Sequence, residues 1–190
     1  MPPLEKNTID ICLEKIKKSY TDFPVFVESG TFMTETTHIV ADLFEKVYTI
    51  ELEPGLYERA VSIFKENAAV DVIFGDTLKI LPTILESERR NSIFWLDGHN
   101  SGPGTAVGEV DFPALEECEI IDNQFKGEFG LVLIDDVRLF GVGHSDEIDD
   151  SLVTITVDKI INTFKNKKVI DYWLLPSWLS ENDRLVIYIN

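Results

Sequence analysis

The sequence predicts an α/β fold built on a doubly wound, mostly parallel sheet of seven strands with helices on both faces. Apolar runs of four to six residues alternate with longer amphipathic stretches, the pattern of strands joined by crossover helices. The 190 residues are 44% hydrophobic and 27% charged, which suits one soluble core. No repeat or linker-like change in composition divides the chain, so we expect residues 1–190 to form a single domain.

Each element follows from its local pattern. Short apolar runs predict strands at 25–28, 47–51, 70–74, 92–97, 131–135, 169–174 and 184–189. Apolar residues at three- and four-residue spacing predict helices at 34–45, 54–67, 77–89, 113–124 and 151–165. Pro54 and Pro113 suit a first helical turn. A further amphipathic helix within residues 4–20 is expected either to cap the sheet or to fold over a ligand.

Charge and composition narrow the possible partners. The chain has 17 basic and 34 acidic residues, and its net charge of −17 would repel a nucleic-acid backbone or an anionic membrane surface. The N-terminal segment has no apolar core of signal-peptide length, and no window approaches a membrane span, so we expect a cytoplasmic protein. Cys12 and Cys118 lack CxxC spacing and nearby histidines, which favours buried thiols over a zinc site or a disulfide.

The first strand ends at Glu28, Ser29 and Gly30, where ligands of an open parallel sheet bind. A glycine there lets the backbone turn tightly and approach a ligand, although an ordinary strand-to-helix turn has the same appearance. Residues 31–36 read TFMTET, so the dinucleotide fingerprint GxGxxG is absent. A pyrophosphate cofactor is therefore disfavoured.

Acidic residues also end the second and third strands. Glu51 follows the glycine turn by about twenty residues, the spacing at which a carboxylate accepts hydrogen bonds from a ribose diol. Glu53 is expected instead to favour the start of the helix at Pro54. Asp76, followed by Thr77, either accepts a hydrogen bond from an adenine amino group or caps the next helix, and the two roles are compatible.

Three further carboxylates end the fourth and fifth strands, namely Asp97 and the pair Asp135 and Asp136. If they meet at one rim of the sheet, they repel one another unless a cation neutralises them. Mg²⁺ prefers such ligands and would hold and acidify a substrate hydroxyl. The alternative is that they cap loops and bind backbone groups. Asp97 or His99 is the candidate base, and His99 is equally compatible with a solvated position.

The segments VESGTF, VYTIELEP, FGDTLKILP, FWLDGHNSG and LVLIDDVRLFG resemble the strand-end motifs of class I S-adenosylmethionine (SAM)-dependent methyltransferases over residues 22–190. TIELEP resembles the ribose-binding segment of catechol-type enzymes. The aspartate after strand four, with Asp-Asp after strand five, resembles macrocin-type (TylF-like) sugar O-methyltransferases. Both groups are Mg²⁺-dependent. Asn100 departs from the catechol pattern, which has a lysine there.

The resemblance implies a Rossmann-like fold, a SAM cofactor, a small-molecule acceptor and a role for each strand-end residue. It places the methionine part along Glu28, Ser29 and Gly30, the ribose on Glu51, the adenine near Asp76 and Thr77, and Mg²⁺ on Asp97, Asp135 and Asp136. Three alternatives stay open: a metal-independent N-methyltransferase, a catalytically silent module that binds a nucleoside or a protein partner, and, least favoured, a nicotinamide dehydrogenase. Self-association also stays open.

Overall fold

The computed structural model describes residues 3–98, 105–106, 108, 110–142 and 150–190, the last range without the side chains of residues 150 and 151. Its strands lie within one residue of each predicted bound. They are β1 Val25–Ser29, β2 Lys46–Glu51, β3 Val70–Phe74, β4 Ser92–Leu96, β5 Gly130–Ile134, β6 Val169–Leu175 and β7 Arg184–Ile189.

The strands form one sheet in the order β3-β2-β1-β4-β5-β7-β6. Strands β1 to β5 are parallel, and β7 runs antiparallel between β5 and β6. The chain moves outward through β2 and β3 and then returns to β4 beside β1, so the strand order reverses between β1 and β4. A crevice forms at such a switch point, outside the carboxyl ends of the strands. The predicted doubly wound, mostly parallel sheet is confirmed.

Seven helices lie in the described ranges: α1 Lys6–Lys15, α2 Glu35–Val40, α3 Pro54–Phe64, α4 Thr77–Ser87, α5 Ala114–Gln124, α6 Asp150–Thr154 and α7 Val157–Ile161. Short 3-10 turns cover Tyr20–Asp22 and Val137–Leu139. The helix predicted for 4–20 is shorter because Lys17 has a left-handed φ of 56° and the amide of Lys18 donates to the Leu13 carbonyl, which closes a Schellman turn. The helix predicted for 34–45 ends at Val40.

The prediction of a single helix over residues 151–165 was wrong, because the structure has two helices there, α6 and α7. Thr156 separates them with an extended backbone, φ −139° and ψ 157°, and its hydroxyl accepts a hydrogen bond from the amide of Lys159. A threonine whose side chain satisfies a first-turn amide begins a new helix at that point. A local cap therefore overrides the longer apolar repeat.

Two apolar layers cover the two faces of the sheet. Alternation along the strands divides the side chains, so that Val27 faces the layer of α4 and α5 while Phe26 faces the layer of α1 and α2. Helix α1 packs on the sheet through Ile9, Cys12 and Leu13, which gives it the capping position. Helices on both faces are thus confirmed.

Both cysteines are buried free thiols, as predicted. Among the described residues, none of the helices combines the length and the apolar character that crossing a membrane requires.

Candidate cofactor cleft and acid cluster

A cleft opens at the switch point and gathers predicted residues from four strand ends. Its walls include Gly30 after β1, Glu51 of β2, Asp76 and Thr77 after β3, and Asp97 after β4. Apolar contacts come from residues such as Phe32, Ile50, Leu56 and Val110. The cleft is narrow, with a cavity of about 50 Å³ inside about 580 Å³ of space that includes its open mouth. A concave, partly apolar site with a few convergent carboxylates is typical of ligand binding.

The turn after β1 requires glycine at position 30. Gly30 has a φ of +84°, and a Cβ built there would lie 2.6 Å from the carbonyl oxygen of Asp97. Phe32 and Thr34 take up the remaining left-handed backbone positions, with φ of 45° and 71°. A single glycine therefore suffices for the close approach of this turn to β4, and the sparse glycine pattern does not prevent a cleft from forming.

Glu51 is held by two backbone amides. Its Oε2 accepts from the amide of Phe32 at 2.8 Å, and its Oε1 accepts from the amide of Glu53 at 2.8 Å. The side chain is buried, yet it lines the cleft. Each carboxylate oxygen accepts more than one hydrogen bond, so both have capacity left for a diol. The preferred role of Glu53 is confirmed, because its side chain caps α3 at the amide of Leu56.

Asp76 has one of its two predicted roles, helix capping, and it is also positioned at the cleft, where the second role would apply. Its Oδ1 accepts from the amide of Leu78 at 2.9 Å, so the capping role is confirmed. Its side chain also lines the cleft, and Gly108 approaches it so closely that an added Cβ would lie 3.1 Å from Oδ2. Asp76 is therefore placed where a ligand would meet it.

Glu28 and Ser29 point to opposite faces of the sheet. The Oε2 of Glu28 accepts hydrogen bonds of 2.6 Å from the hydroxyls of Thr37 and Thr49. Burial raises the pKa of Glu28 to about 7, while these hydroxyls act in the opposite direction. Glu28 lines a small cavity together with Asp97 and Pro3, next to the main cleft.

Ser29 lies beside Glu117 of α5, a buried carboxyl that sequence analysis missed. Burial raises the pKa of Glu117 to about 8, the Ser29 hydroxyl lowers it, and the carboxylates of Glu116 and Asp76 raise it further. The sequence offered no signal, because Glu117 stands in an acidic run, 116–119, that reads as a solvated helix face. The structure instead turns this one side chain into the core.

Asp97 lines the cleft and also interacts electrostatically with Asp135 and Asp136, which follow β5 and which we call the acid cluster. Burial raises its pKa well above the usual range, and the neighbouring carboxylates of Asp135, Asp136 and Glu28 raise it further. Asp135 is buried, and its Oδ1 accepts from the Nε of Arg184 at 3.2 Å. Burial raises the pKa of Asp135 to about 6 despite that guanidinium. The three predicted carboxylates therefore interact electrostatically.

The structure adds Asp183, from the start of β7, to this cluster. Carboxylate oxygens of Asp135, Asp136 and Asp183 lie within 4.8 Å of one another. Arg138 pairs with Asp136 and also donates to both oxygens of Asp183, at 2.9 and 2.8 Å. Asp183, Arg138 and Arg184 were not predicted as site residues. Arg184 could have been recognised because it is a charged residue at the first position of an otherwise apolar strand, in NDRLVIYI.

The close carboxylates differ from the predicted Mg²⁺ ligands, because among the described residues the group within 4.8 Å contains Asp183 and does not contain Asp97. The Oδ2 of Asp135 is buried and has no hydrogen-bond partner among the described residues. Such an oxygen suits a hard cation, which would also relieve the repulsion among the carboxylates. Asp136 and Asp183 would contribute only by giving up part of their contacts with Arg138. The other candidate base, His99, lies outside the described residues.

Several solved structures similar to this chain are described as methyltransferases. A caffeoyl-CoA O-methyltransferase candidate from Staphylococcus aureus has a TM-score of 0.61 and 16% identity, covering 100% of this chain and 85% of that one. A methyltransferase candidate from Streptococcus mutans, solved with S-adenosylhomocysteine (SAH), has a TM-score of 0.58 and 16% identity, and the match covers 98% of this chain and 100% of that one. An rRNA methylase from Streptococcus thermophilus has a TM-score of 0.51 and 14% identity, and the match covers 89% of this chain and 87% of that one.

No protein-family model matches the chain, and no curated protein matches it in sequence. At these identities the similarity concerns the fold, which agrees with the strand order and with the cleft at the switch point. The chain has the fold of the class I SAM-dependent methyltransferases.

Proposed function

We propose that this protein is a SAM-dependent methyltransferase that methylates a hydroxyl of a small molecule. The observation that carries the proposal is the fixed carboxylate of Glu51, which faces the switch-point cleft while two backbone amides hold its orientation. A carboxylate at the end of the second strand is suited to a ribose diol. The SAH complex of the similar S. mutans protein supports a ligand of this class.

The residues around Glu51 would place the rest of the cofactor. Asp76, beside Thr77, would accept from the adenine amino group, and the close backbone of Gly30 would leave room for the methionine part. The acidic walls of the cleft favour a cationic sulfonium over a neutral ligand. Glu28 is buried beside the small cavity next to the main cleft, so it would contribute to binding the methionine part by stabilising the end of β1.

The reaction would be a direct displacement. The acceptor oxygen forms a bond to the methyl carbon as the bond from carbon to sulfur breaks, which leaves neutral SAH, and the hydroxyl proton passes to a base. Asp97 lines the cleft and would take that proton, and burial together with the neighbouring carboxylates raises its pKa, which makes its carboxylate a stronger base. The protein would contribute chiefly orientation and electrostatics.

A divalent cation, when bound, would polarise the acceptor hydroxyl. Asp97 and Asp135 would hold it, with Asp136 as a third ligand. The two arginines of the cluster favour the competing possibility that they neutralise the carboxylates in place of a metal. A metal-independent N-methyltransferase is the alternative function in that case. The net charge of −17 favours a small molecule over RNA, although an rRNA methylase is among the similar structures.

The proposal is tested by calorimetric titration with SAH, with and without Mg²⁺. We expect Glu51→Ala to weaken SAH binding by about tenfold or more, because a charged hydrogen-bond acceptor is lost. Glu58→Ala, which removes an exposed carboxylate from α3, is the matched control and should bind SAH normally. If Mg²⁺ changes binding in the native protein but not in Asp135→Ala, the metal is supported. Absence of SAH binding under every condition would overturn the proposal.

A further inference from the structure

A second cavity, of about 250 Å³, lies between the first turn of α1 and the turn that joins β6 to β7. We call it the α1–β7 cavity; its walls include Asn7, Thr8, Ile11, Leu175, Trp178 and Arg184. We propose that it binds a carboxylate carried on a flat apolar group and that this is part of the acceptor site. The second half of this statement rests on the proposed function.

Arg184 provides the first argument. Its side chain is buried, and it donates from Nε to Asp135, from Nη1 to the Thr8 hydroxyl at 3.3 Å and from Nη2 to the Pro3 carbonyl at 3.1 Å. A guanidinium has five N–H donors, so each terminal nitrogen keeps one beyond these contacts. Guanidinium N–H groups bind carboxylate oxygens through charge-assisted hydrogen bonds, and Arg184 lines the cavity. The ring of Trp95, 5.4 Å away, packs against the guanidinium and fixes its plane.

The N-terminus of α1 is an independent second argument. Glu5 stands at the N-cap but makes no cap hydrogen bond with its side chain, and the first turn contains no acidic residue. The first-turn amides of a helix point outward and carry a partial positive charge, which favours an anion. Asn7 and Thr8 of this turn line the cavity, and because the Thr8 amide already donates to the Glu5 carbonyl at 3.0 Å, the amides of Lys6 and Asn7 are the ones that would meet an anion. The Glu5 carboxylate opposes an anion from the rim, but it is exposed and therefore screened by solvent.

The apolar walls indicate what would carry the carboxylate. Trp178 is 76% exposed and Ile11 is 43% exposed, and both border the cavity. An exposed indole beside a cavity offers a flat face against which a ring can stack. Leu175 adds a further apolar contact, so the cavity combines apolar and cationic side chains and suits a small molecule with one flat apolar part and one anionic part.

The position of the cavity connects it to the reaction. Arg184 contacts it on one side and Asp135 on the other, and the amide of Asp135 donates at 3.2 Å to the carbonyl of Leu96, the residue before Asp97 in the cofactor cleft. A carboxylate bound to Arg184 would thus be separated from the acid cluster only by the Arg184 guanidinium. The acceptor would be recognised by a group distant from the oxygen that receives the methyl group.

The binding test uses benzoate and benzamide as probes in a titration followed by the fluorescence of exposed Trp178. We expect saturable quenching by benzoate and affinity weaker by about tenfold or more for neutral benzamide. Trp178→Ala should abolish the quenching. Equal affinity for the two probes, or no saturable quenching by either, would overturn the proposal.

A charge variant separates the anion site from effects on folding. Asn7→Asp puts a negative charge at the N-terminus of α1, which favours the helix but opposes an anion in the cavity. We expect benzoate affinity to fall by about tenfold while thermal stability is kept or increased. Ser62→Asp adds the same charge on the exposed face of α3 and should leave benzoate binding unchanged. Unchanged affinity in Asn7→Asp would contradict the anion site.

The acceptor role is tested by SAM-dependent methylation of hydroxybenzoates and the matching hydroxybenzamides. We expect turnover only with the acids, and a higher KM with an unchanged kcat in Asn7→Asp. Turnover of the amides with equal efficiency would contradict the acceptor role. If SAH does not bind, the proposed function fails, while the benzoate titration still decides whether the α1–β7 cavity is an anion site.

Discussion

The Nε of Arg184 donates to the Oδ1 of Asp135 at 3.2 Å, and both side chains are almost fully buried. The contact joins the end of β5 to the start of β7 and reaches, through the other guanidinium nitrogens, the N-terminal segment before α1 and its first turn. One ion pair therefore connects the acid cluster, the sheet and α1.

We predict that Asp135→Ala destabilises the protein by about 3–5 kcal/mol, because the Arg184 guanidinium would then lack its buried counter-charge. The double variant Asp135→Leu with Arg184→Met should be closer to the native protein than the single variant, since neither charge remains buried. Urea unfolding of the variants measures the difference. Equal destabilisation in the single and double variants would show that packing, and not charge, determines the stability at this site.

The buried carboxyls predict that stability falls as the pH rises. Burial raises the pKa of Glu28 from 4.5 to about 7, so the folded protein binds more protons than the unfolded chain between these values. Stability therefore falls from pH 4.5 to 7 and stays reduced above 7. Glu28→Gln should flatten this dependence, whereas Glu35→Gln, at an exposed site, should not. Thermal unfolding at several pH values checks the slope.

Gly30→Ala is predicted to disrupt the β1 turn. The added Cβ would lie 2.6 Å from a backbone oxygen, and the left-handed φ disfavours alanine as well. We expect a loss of about 1–3 kcal/mol in stability, together with loss of SAH binding. Gly55→Ala in α3, where the nearest atom is the end of the Glu53 side chain at 3.1 Å, is the matched control. Normal SAH binding by Gly30→Ala would remove this turn from the site.

Lys17→Gly is predicted to stabilise the protein by about 1 kcal/mol, because glycine takes the left-handed conformation without the steric cost that a side chain bears. Lys17 has a φ of 56° at the end of α1. Lys18→Gly, one residue later and without a positive φ, should be neutral or destabilising. Thermal unfolding of both variants distinguishes the effect of conformation from the loss of a lysine charge.

Some parts of the site were predictable because their signals are local. The helix-capping roles of Glu53 and Asp76 follow from their positions immediately before helices, and the structure has both. Glu51 and Gly30 were placed by spacing along the chain, and both line the cleft. By contrast, the capping threonine at position 156 competed with a longer apolar repeat, and periodicity alone gave the wrong helix there.

The sequence by itself determined the strands and the edge of the sheet that carries the site, because buried parallel strands are short apolar runs and their carboxyl ends share one edge. Only the tertiary structure decided which charges meet there. Asp183 and Arg184 reach the end of β5 because β7 inserts antiparallel between β5 and β6. Contacts between residues so distant in the chain depend on strand order, which no local pattern specifies, and so the arginines of the acid cluster and the cavity beside α1 became visible only in the folded protein.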